Sequence, residues 1–181
     1  RTDELAWLHE QYSNERNIVL YSWRRMGKTA LIKHFFHNIK KEKRVEGVFV
    51  DLLGTSKLSD ANRIIAEAIV KQFGNISKGI GQRLLKMLGS IGATLGLDPI
   101  TGTPQVTFGL VQNQSVSTSL EALGRYLIEM KTPIIICIDE FQQVVNYPEK
   151  HAEATFRTWT QNFPMVRFIF LGSQRHMMTS M

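Results

Sequence analysis

Apolar runs alternate with amphipathic stretches along most of this chain. Apolar runs predict β-strands at residues 17–21, 47–52, 133–138 and 166–171. Between them, apolar positions recur at helical spacing and predict helices at residues 3–13, 28–40, 59–73, 119–130 and 150–161. Strands that alternate with helices are typical of an α/β fold, with a parallel sheet between two layers of helices (a three-layer α/β/α arrangement).

The strand at 133–138 is apolar throughout, with four isoleucines and Cys137. An apolar run without polar alternation indicates a strand that is buried on both faces. Asp139 and Glu140 follow it, at the sheet edge where α/β proteins bind ligands. We expect Asp139 to hold Mg²⁺, directly or through water, and Glu140 to orient and activate a water molecule that attacks a phosphoryl group. The alternative is that these acids cap the helix that follows.

Residues 74–118 fit the alternation least well. Asp98 is the one charged residue between Met87 and Thr118. The stretch 84–97 predicts a helix despite its three glycines, and 106–110 alternates like a short strand or hairpin arm. Two interpretations stay open: a packed insertion that covers the sheet, or an exposed apolar surface for a protein partner or the chain's own C-terminal region.

A Gly-Lys-Thr tripeptide lies between the first predicted strand and the helix that follows it. Its spacing matches the phosphate-binding pattern G-x-x-x-x-G-K-[ST], except that Ser22 takes the place of the first glycine. Ser22 lacks the freedom of glycine at positive φ. Loop N–H groups and the helix N-terminus would face the phosphates, Lys28 would reach the β- and γ-phosphates, and Thr29 would ligate Mg²⁺. The predicted nucleotide-binding residues are Ser22, Trp23, Arg24, Arg25, Met26, Gly27, Lys28, Thr29 and Ala30. A chance Gly-Lys-Thr at a surface turn is the alternative.

The last predicted strand ends in small and polar residues, Gly172, Ser173 and Gln174. Ser173 and Gln174 are therefore candidates to sense a γ-phosphate. A plain strand-to-loop turn would explain the same residues.

Composition agrees with one globular domain. The chain has 181 residues, of which 43% are hydrophobic and 21% charged. The sequence has no visible secretory signal and no apolar run long enough to cross a bilayer, so membrane insertion is not expected. The single cysteine, Cys137, lies within a predicted strand, which favours a buried core thiol in a reducing compartment. Cytoplasmic localisation is therefore expected.

Positive charge is concentrated near the N-terminus. The formal net charge is +6, and residues 1–50 carry ten Lys/Arg against six Asp/Glu. Cations in the loop suit a triphosphate, while the run at 40–44 fits the solvated end of a helix. Nucleic-acid contact is a second interpretation of that run, but its mixed signs and lack of aromatic neighbours make it a weak footprint.

With these motifs, the chain resembles the archaeal-type ATPases of the AAA/STAND branch of P-loop NTPases, which also occur in bacteria. The matching segments are 1–8, 23–29, 48–52, 138–142 and 170–175. The resemblance implies ATP or ADP as ligand, Mg²⁺ dependence, and a sheet in which the final strand separates the Lys28 strand from the Asp139 strand. It also implies a fifth strand, a helical lid and an effector region, which we expect to be absent from this chain. Arg157 and Arg175 are candidates for an arginine finger, and the oligomeric state stays open.

Two functions follow from these expectations. The first is an ATPase in which Lys28, Glu140 and Ser173 serve catalysis while Thr29 and Asp139 hold Mg²⁺. The second is a nucleotide-dependent interaction module with negligible turnover, which would present 74–118 or a C-terminal region to a partner.

Overall fold

Strands and helices alternate in the predicted order in a computed structural model that describes residues 2–23, 25–73, 78–100, 104–108 and 116–173. The α-helices are α1 (Thr2–Ser13), α2 (Lys28–Lys43), α3 (Leu58–Phe73), α4 (Lys78–Ser90), α5 (Val116–Glu129) and α6 (Ala152–Asn162). The strands are β1 (Ile18–Tyr21), β2 (Glu46–Asp51), β3 (Ala93–Leu97), β4 (Pro104–Phe108), β5 (Ile134–Asp139) and β6 (Val166–Gly172). A short 3₁₀ helix covers Phe141–Asn146.

The central sheet is parallel and has the strand order β1-β6-β5-β2. The final strand therefore lies between the strand before Lys28 and the strand that ends at Asp139, as the resemblance implied. In register, Tyr21 pairs with Gly172 and Asp51 pairs with Asp139. The carboxyl ends of all four strands meet at one edge, where the predicted site residues follow them.

Both faces of the sheet are covered, which confirms the predicted α/β arrangement. Strand β5 supplies both cores by simple alternation, with Ile134, Ile136 and Ile138 in the larger core and Ile135 and Cys137 in the smaller one. Helices α3, α5 and α6 pack on the first face, and α1 and α2 on the second. Burial raises the pKa of the Cys137 thiol well above its usual value, so this cysteine is a core residue and not a nucleophile.

The described parts of segment 74–118 differ from the predicted helix at 84–97. Helix α4 ends at Ser90, and Gly92 adopts a left-handed conformation with φ 64°. The chain then turns into β3, which pairs antiparallel with β4. The three glycines of the predicted helix therefore have other places: Gly89 lies near the end of α4, Gly92 lies in the turn, and Gly96 lies in strand β3.

This segment packs against the rest of the domain through its apolar positions. Leu84, Leu88, Ile91 and Val106 are buried and belong to the larger core. The backbone N–H of Val106 donates to Glu67 on α3, at 3.3 Å. On the outside, three apolar side chains of the hairpin region are exposed: Leu95, Leu97 and Ile100. None of the described helices combines the length and apolar character needed to span a bilayer.

Helix α5 contacts Phe163 through a glycine that leaves no space for a side chain. A Cβ atom at Gly124 would lie 2.3 Å from Cε2 of Phe163, whose ring is buried. We expect Gly124→Ala to destabilise the domain, because overpacking costs about 1–3 kcal/mol and outweighs the helix-propensity gain of about 1 kcal/mol or less. Gly89→Ala on α4 is the matched control, since nothing lies within 4 Å of its added Cβ. Urea unfolding measures both, and equal stability of the two variants would contradict the close packing at Phe163.

Candidate functional site

The loop between β1 and α2 is anchored at its start by the neighbouring strand. The Ser22 N–H donates to the carbonyl oxygen of Gly172 at 3.3 Å, which continues the β1–β6 pairing into the loop. Of the described loop residues, Arg25 and Gly27 adopt positive φ, at 65° and 74°, and Ser22 does not. The conformational freedom of glycine is therefore used at Gly27, immediately before α2, and the serine at the first pattern position carries no such strain.

Lys28 is the first residue of α2, and its side chain spans the loop. Its Nζ donates to the carbonyl oxygens of Ser22 at 2.8 Å and of Trp23 at 3.3 Å. The first turn of α2 contains no acidic residue, so nothing within it opposes an anion at the positive helix terminus. A lysine ammonium group therefore lies at the N-terminus of a helix, a combination that favours anion binding.

Asp139 connects the loop to the end of β5. Its Oδ2 accepts the Thr29 hydroxyl at 2.8 Å, and its Oδ1 accepts the Glu140 N–H at 2.9 Å. Asp139 is 6% exposed, and its burial raises the pKa of its carboxyl group. The two hydrogen bonds lower this pKa, and the nearby charges of Asp51 and Glu140 raise it further. A cation beside Asp139 would relieve that electrostatic cost. The oxygens of Thr29 and Asp139 are ligands of the kind that Mg²⁺ prefers.

Glu140 lies in a hydrogen-bonded cluster with the ends of β5 and β6. Its Oε2 accepts a short hydrogen bond from Nε2 of Gln142 and a long one, at 3.4 Å, from the Ser173 hydroxyl. The amide of Gln142 also donates to Ser173 Oγ at 3.0 Å and accepts the Ser173 N–H at 3.4 Å. Glu140 has φ 54° and precedes the 3₁₀ helix, a left-handed conformation that is uncommon for a residue other than glycine.

The structure brings most of the predicted site residues together. Ser22, Lys28, Thr29, Asp139, Glu140 and Ser173 are joined through the contacts above. Trp23 and Met26 are 82% and 58% exposed. Ala30 lies exposed in the first turn of α2.

Other candidate residues lie elsewhere or outside the described chain. Arg24, Gln174 and Arg175 fall outside the described residues. Arg157 pairs with Glu153 on α6, at 2.6 Å.

Sequence reasoning assigned no role to Gln142, although it is the centre of the cluster. Phe141, Gln142 and Val144 are all buried in the 3₁₀ helix. The available sequence signal is the position of Gln142 two residues after Glu140, within an otherwise apolar Phe-Gln-Gln-Val-Val stretch. Its partner Ser173 lies 31 residues away in sequence, which explains why the pattern alone did not reveal the contact.

Comparison with solved structures shows the fold. The DNA complex of the Aeropyrum pernix ORC1 protein matches with TM-score 0.63 and 17% identity, over 100% of this chain and 41% of that one. The Aeropyrum pernix ORC2 protein, solved as ADPNP–ADP complexes, matches with TM-score 0.61 and 17% identity, over 97% of this chain and 41% of that one. A Walker-type ATPase of Pyrococcus abyssi matches with TM-score 0.54 and 20% identity, over 98% of this chain and 46% of that one. The chain thus spans less than half the length of these three proteins.

Sequence comparison shows the family. Among curated proteins, no significant match is found. A family described as an ATPase domain predominantly from Archaea matches residues 1–175, nearly the whole chain. This agrees with the resemblance drawn from the loop, the acidic strand and the Gly-Ser segment, and the chain belongs to that family of ATPase domains.

Proposed function

We propose that this domain binds Mg·ATP at the loop between β1 and α2 and hydrolyses it. The observation that carries the proposal is the 2.8 Å hydrogen bond between Thr29 and Asp139, 110 residues apart in the sequence. This bond joins the loop before α2 to an acid at the end of a buried strand. The two side chains supply oxygens of the kind that Mg²⁺ prefers, next to a helix N-terminus that favours phosphate, and this supports the proposal.

Each residue then has a definite task. The loop N–H groups and Lys28 bind the phosphates, while Thr29 and Asp139 hold the metal. When bound, Mg²⁺ would neutralise negative charge on the phosphate oxygens. Glu140, one residue beyond Asp139, orients water and accepts its proton, and Ser173 contacts the γ-phosphate.

Adenine is the proposed base because of the neighbouring structures. The ORC2 neighbour was solved with ADPNP and ADP, and the matched family is one of ATPase domains. The free thiol of Cys137 leads us to place the protein in the cytoplasm.

A nucleotide-dependent interaction module is the second candidate function. The exposed apolar side chains of Leu95, Leu97 and Ile100 favour it, because they offer a contact surface outside the nucleotide site. DNA is bound by the ORC1 neighbour in its solved complex, but we do not extend this to the present chain. In the basic run at 40–44, Lys40 is paired with Glu46 at 2.9 Å, which lowers the positive potential available to a nucleic acid.

The direct test is a calorimetric titration with ATP in the presence of Mg²⁺, repeated with EDTA and with GTP. We expect saturable 1:1 binding of Mg·ATP and weaker binding in EDTA, by about tenfold or more, which corresponds to about 1.4 kcal/mol. GTP should bind less tightly than ATP. Absence of ATP binding would overturn the proposal. An affinity for ATP that is the same in EDTA as in Mg²⁺ would show that binding does not need the metal.

A further inference from the structure

Gln142 is a buried polar residue whose hydrogen bonds go to the candidate catalytic groups. Its side chain is 4% exposed, and its amide contacts Glu140 and Ser173 through both ends. Most side-chain hydrogen bonds in proteins go to backbone groups or water. Beside its bond to the Ser173 N–H, Gln142 bonds to two side chains, the Glu140 carboxylate and the Ser173 hydroxyl, and so connects the proposed general base to the proposed γ-phosphate contact.

The partners fix the orientation of the amide. The NH₂ group must face the Glu140 carboxylate, because the reversed amide would place its carbonyl oxygen against a negatively charged acceptor. In this orientation the same NH₂ group donates to Ser173 Oγ at 3.0 Å. The Ser173 hydroxyl accepts from Gln142 and therefore directs its own proton to another acceptor.

The acceptor that Ser173 finds among the described residues is a poor one. Its hydroxyl reaches Glu140 Oε2 at 3.4 Å, well beyond the usual 2.5–3.0 Å of an O–H···O hydrogen bond. A phosphate oxygen at normal distance would compete successfully for this proton, because hydrogen bonds to charged acceptors are shorter and stronger.

We propose that Gln142 is a positioning residue that couples Glu140 to Ser173, so that the general base responds to the presence of a γ-phosphate. This inference rests on the proposed function and deepens it. When a γ-phosphate takes the Ser173 proton, Glu140 loses that donor and keeps the one from Gln142, which leaves a carboxylate lone pair free for water. A diphosphate leaves the three-residue cluster unchanged.

The test compares the affinities of ADPNP and ADP, and so needs no turnover. Gln142→Met keeps the length of the side chain and removes its hydrogen bonds. We expect the preference for ADPNP over ADP to fall about three- to tenfold, because neutral hydrogen bonds contribute about 0.5–1.5 kcal/mol, while ADP affinity stays within about twofold. Gln143→Met, in the same 3₁₀ helix but outside the cluster, is the matched control and should change neither affinity.

A double-mutant cycle separates positioning from a structural role. Ser173→Ala should reduce the preference for ADPNP to a similar extent, and the variant carrying both changes should lose little more than either alone. If Gln142 had only a structural role, Gln142→Met would lower the affinities for ADPNP and ADP equally, or its effect on their ratio would add fully to that of Ser173→Ala. Thermal unfolding checks each variant. If Gln142→Met does not fold, Gln142→Asn keeps an amide at this position but is one methylene too short to bond both partners, and it is expected to give the same loss.

The outcomes also distinguish this inference from the proposed function. If the parent binds both nucleotides and Gln142→Met leaves their ratio unchanged, the coupling is overturned while nucleotide binding stands. If the parent binds neither nucleotide, the proposed function fails and the coupling fails with it.

Discussion

Replacing Lys28 with alanine is expected to lower the affinity for Mg·ATP at least about 100-fold. In the proposed function the Lys28 ammonium group binds the phosphates, and hydrogen bonds to charged groups contribute about 1.5–3 kcal/mol each. The substitution also removes the bonds from Nζ to the carbonyl oxygens of Ser22 and Trp23, which hold the loop in its observed shape. Isothermal titration calorimetry with Mg·ATP measures the loss directly.

The same helix offers the control for this variant. Lys41 is exposed and lies near the C-terminal end of α2, so Lys41→Ala removes an equal charge away from the loop. It should leave the affinity for Mg·ATP within about twofold, because a surface charge at that distance is screened by salt. If Lys28→Ala binds as tightly as Lys41→Ala, the loop is not the nucleotide site, whatever its sequence resembles.

The features that the sequence predicted well are those determined by local pattern. The isoleucine run of β5 lacks polar alternation, and burial on both faces of a parallel sheet follows directly from that. The loop was recognisable because the Gly-Lys-Thr tripeptide has a fixed place between a strand and a helix. The contact between Thr29 and Asp139 then followed from chain topology, because parallel strands bring their carboxyl ends to one edge.

The errors of sequence reasoning concern backbone conformation and contacts between distant residues. The concern about Ser22 was misplaced, because the positive φ angles of the described loop occur at Arg25 and Gly27. The apolar stretch at 84–97 fits a helix or a strand equally well by composition, and only the left-handed Gly92 separates α4 from β3. The spacing of apolar residues carries no information about the φ angles of the loop or about the turn at Gly92.

The cluster around Gln142 depends both on a backbone conformation and on a contact between distant residues. The left-handed conformation of Glu140 starts the 3₁₀ helix, and that turn places Gln142 against Ser173 at the end of the adjacent strand. A sequence pattern indicates that Glu140 follows the acidic strand, but it does not indicate which groups hold its carboxylate. The sequence therefore predicts which residues form the candidate site better than it predicts the hydrogen bonds that orient them.

Glu140 is the residue that separates the two proposed functions. Its carboxylate is bonded to Gln142 and Ser173 and to none of the described loop residues, whereas the contacts of Lys28 and Thr29 involve other groups. Nucleotide affinity and turnover should consequently respond differently to a change at this position. A change that preserves shape and removes basicity isolates the proton-accepting role.

Glu140→Gln is expected to reduce the rate of ATP hydrolysis by about 100- to 10,000-fold, because an amide of the same shape cannot accept the proton of the attacking water. The affinity for Mg·ATP should change less than about threefold, since the phosphate and metal contacts stay in place. Phosphate release under saturating ATP and calorimetry measure the two effects. Glu121→Gln, which removes an exposed carboxylate paired with Arg125 on α5, is the control and should alter neither. Equal turnover in the parent and in Glu140→Gln, or tight binding without turnover in both, would instead favour the interaction module, with the nucleotide as a structural ligand.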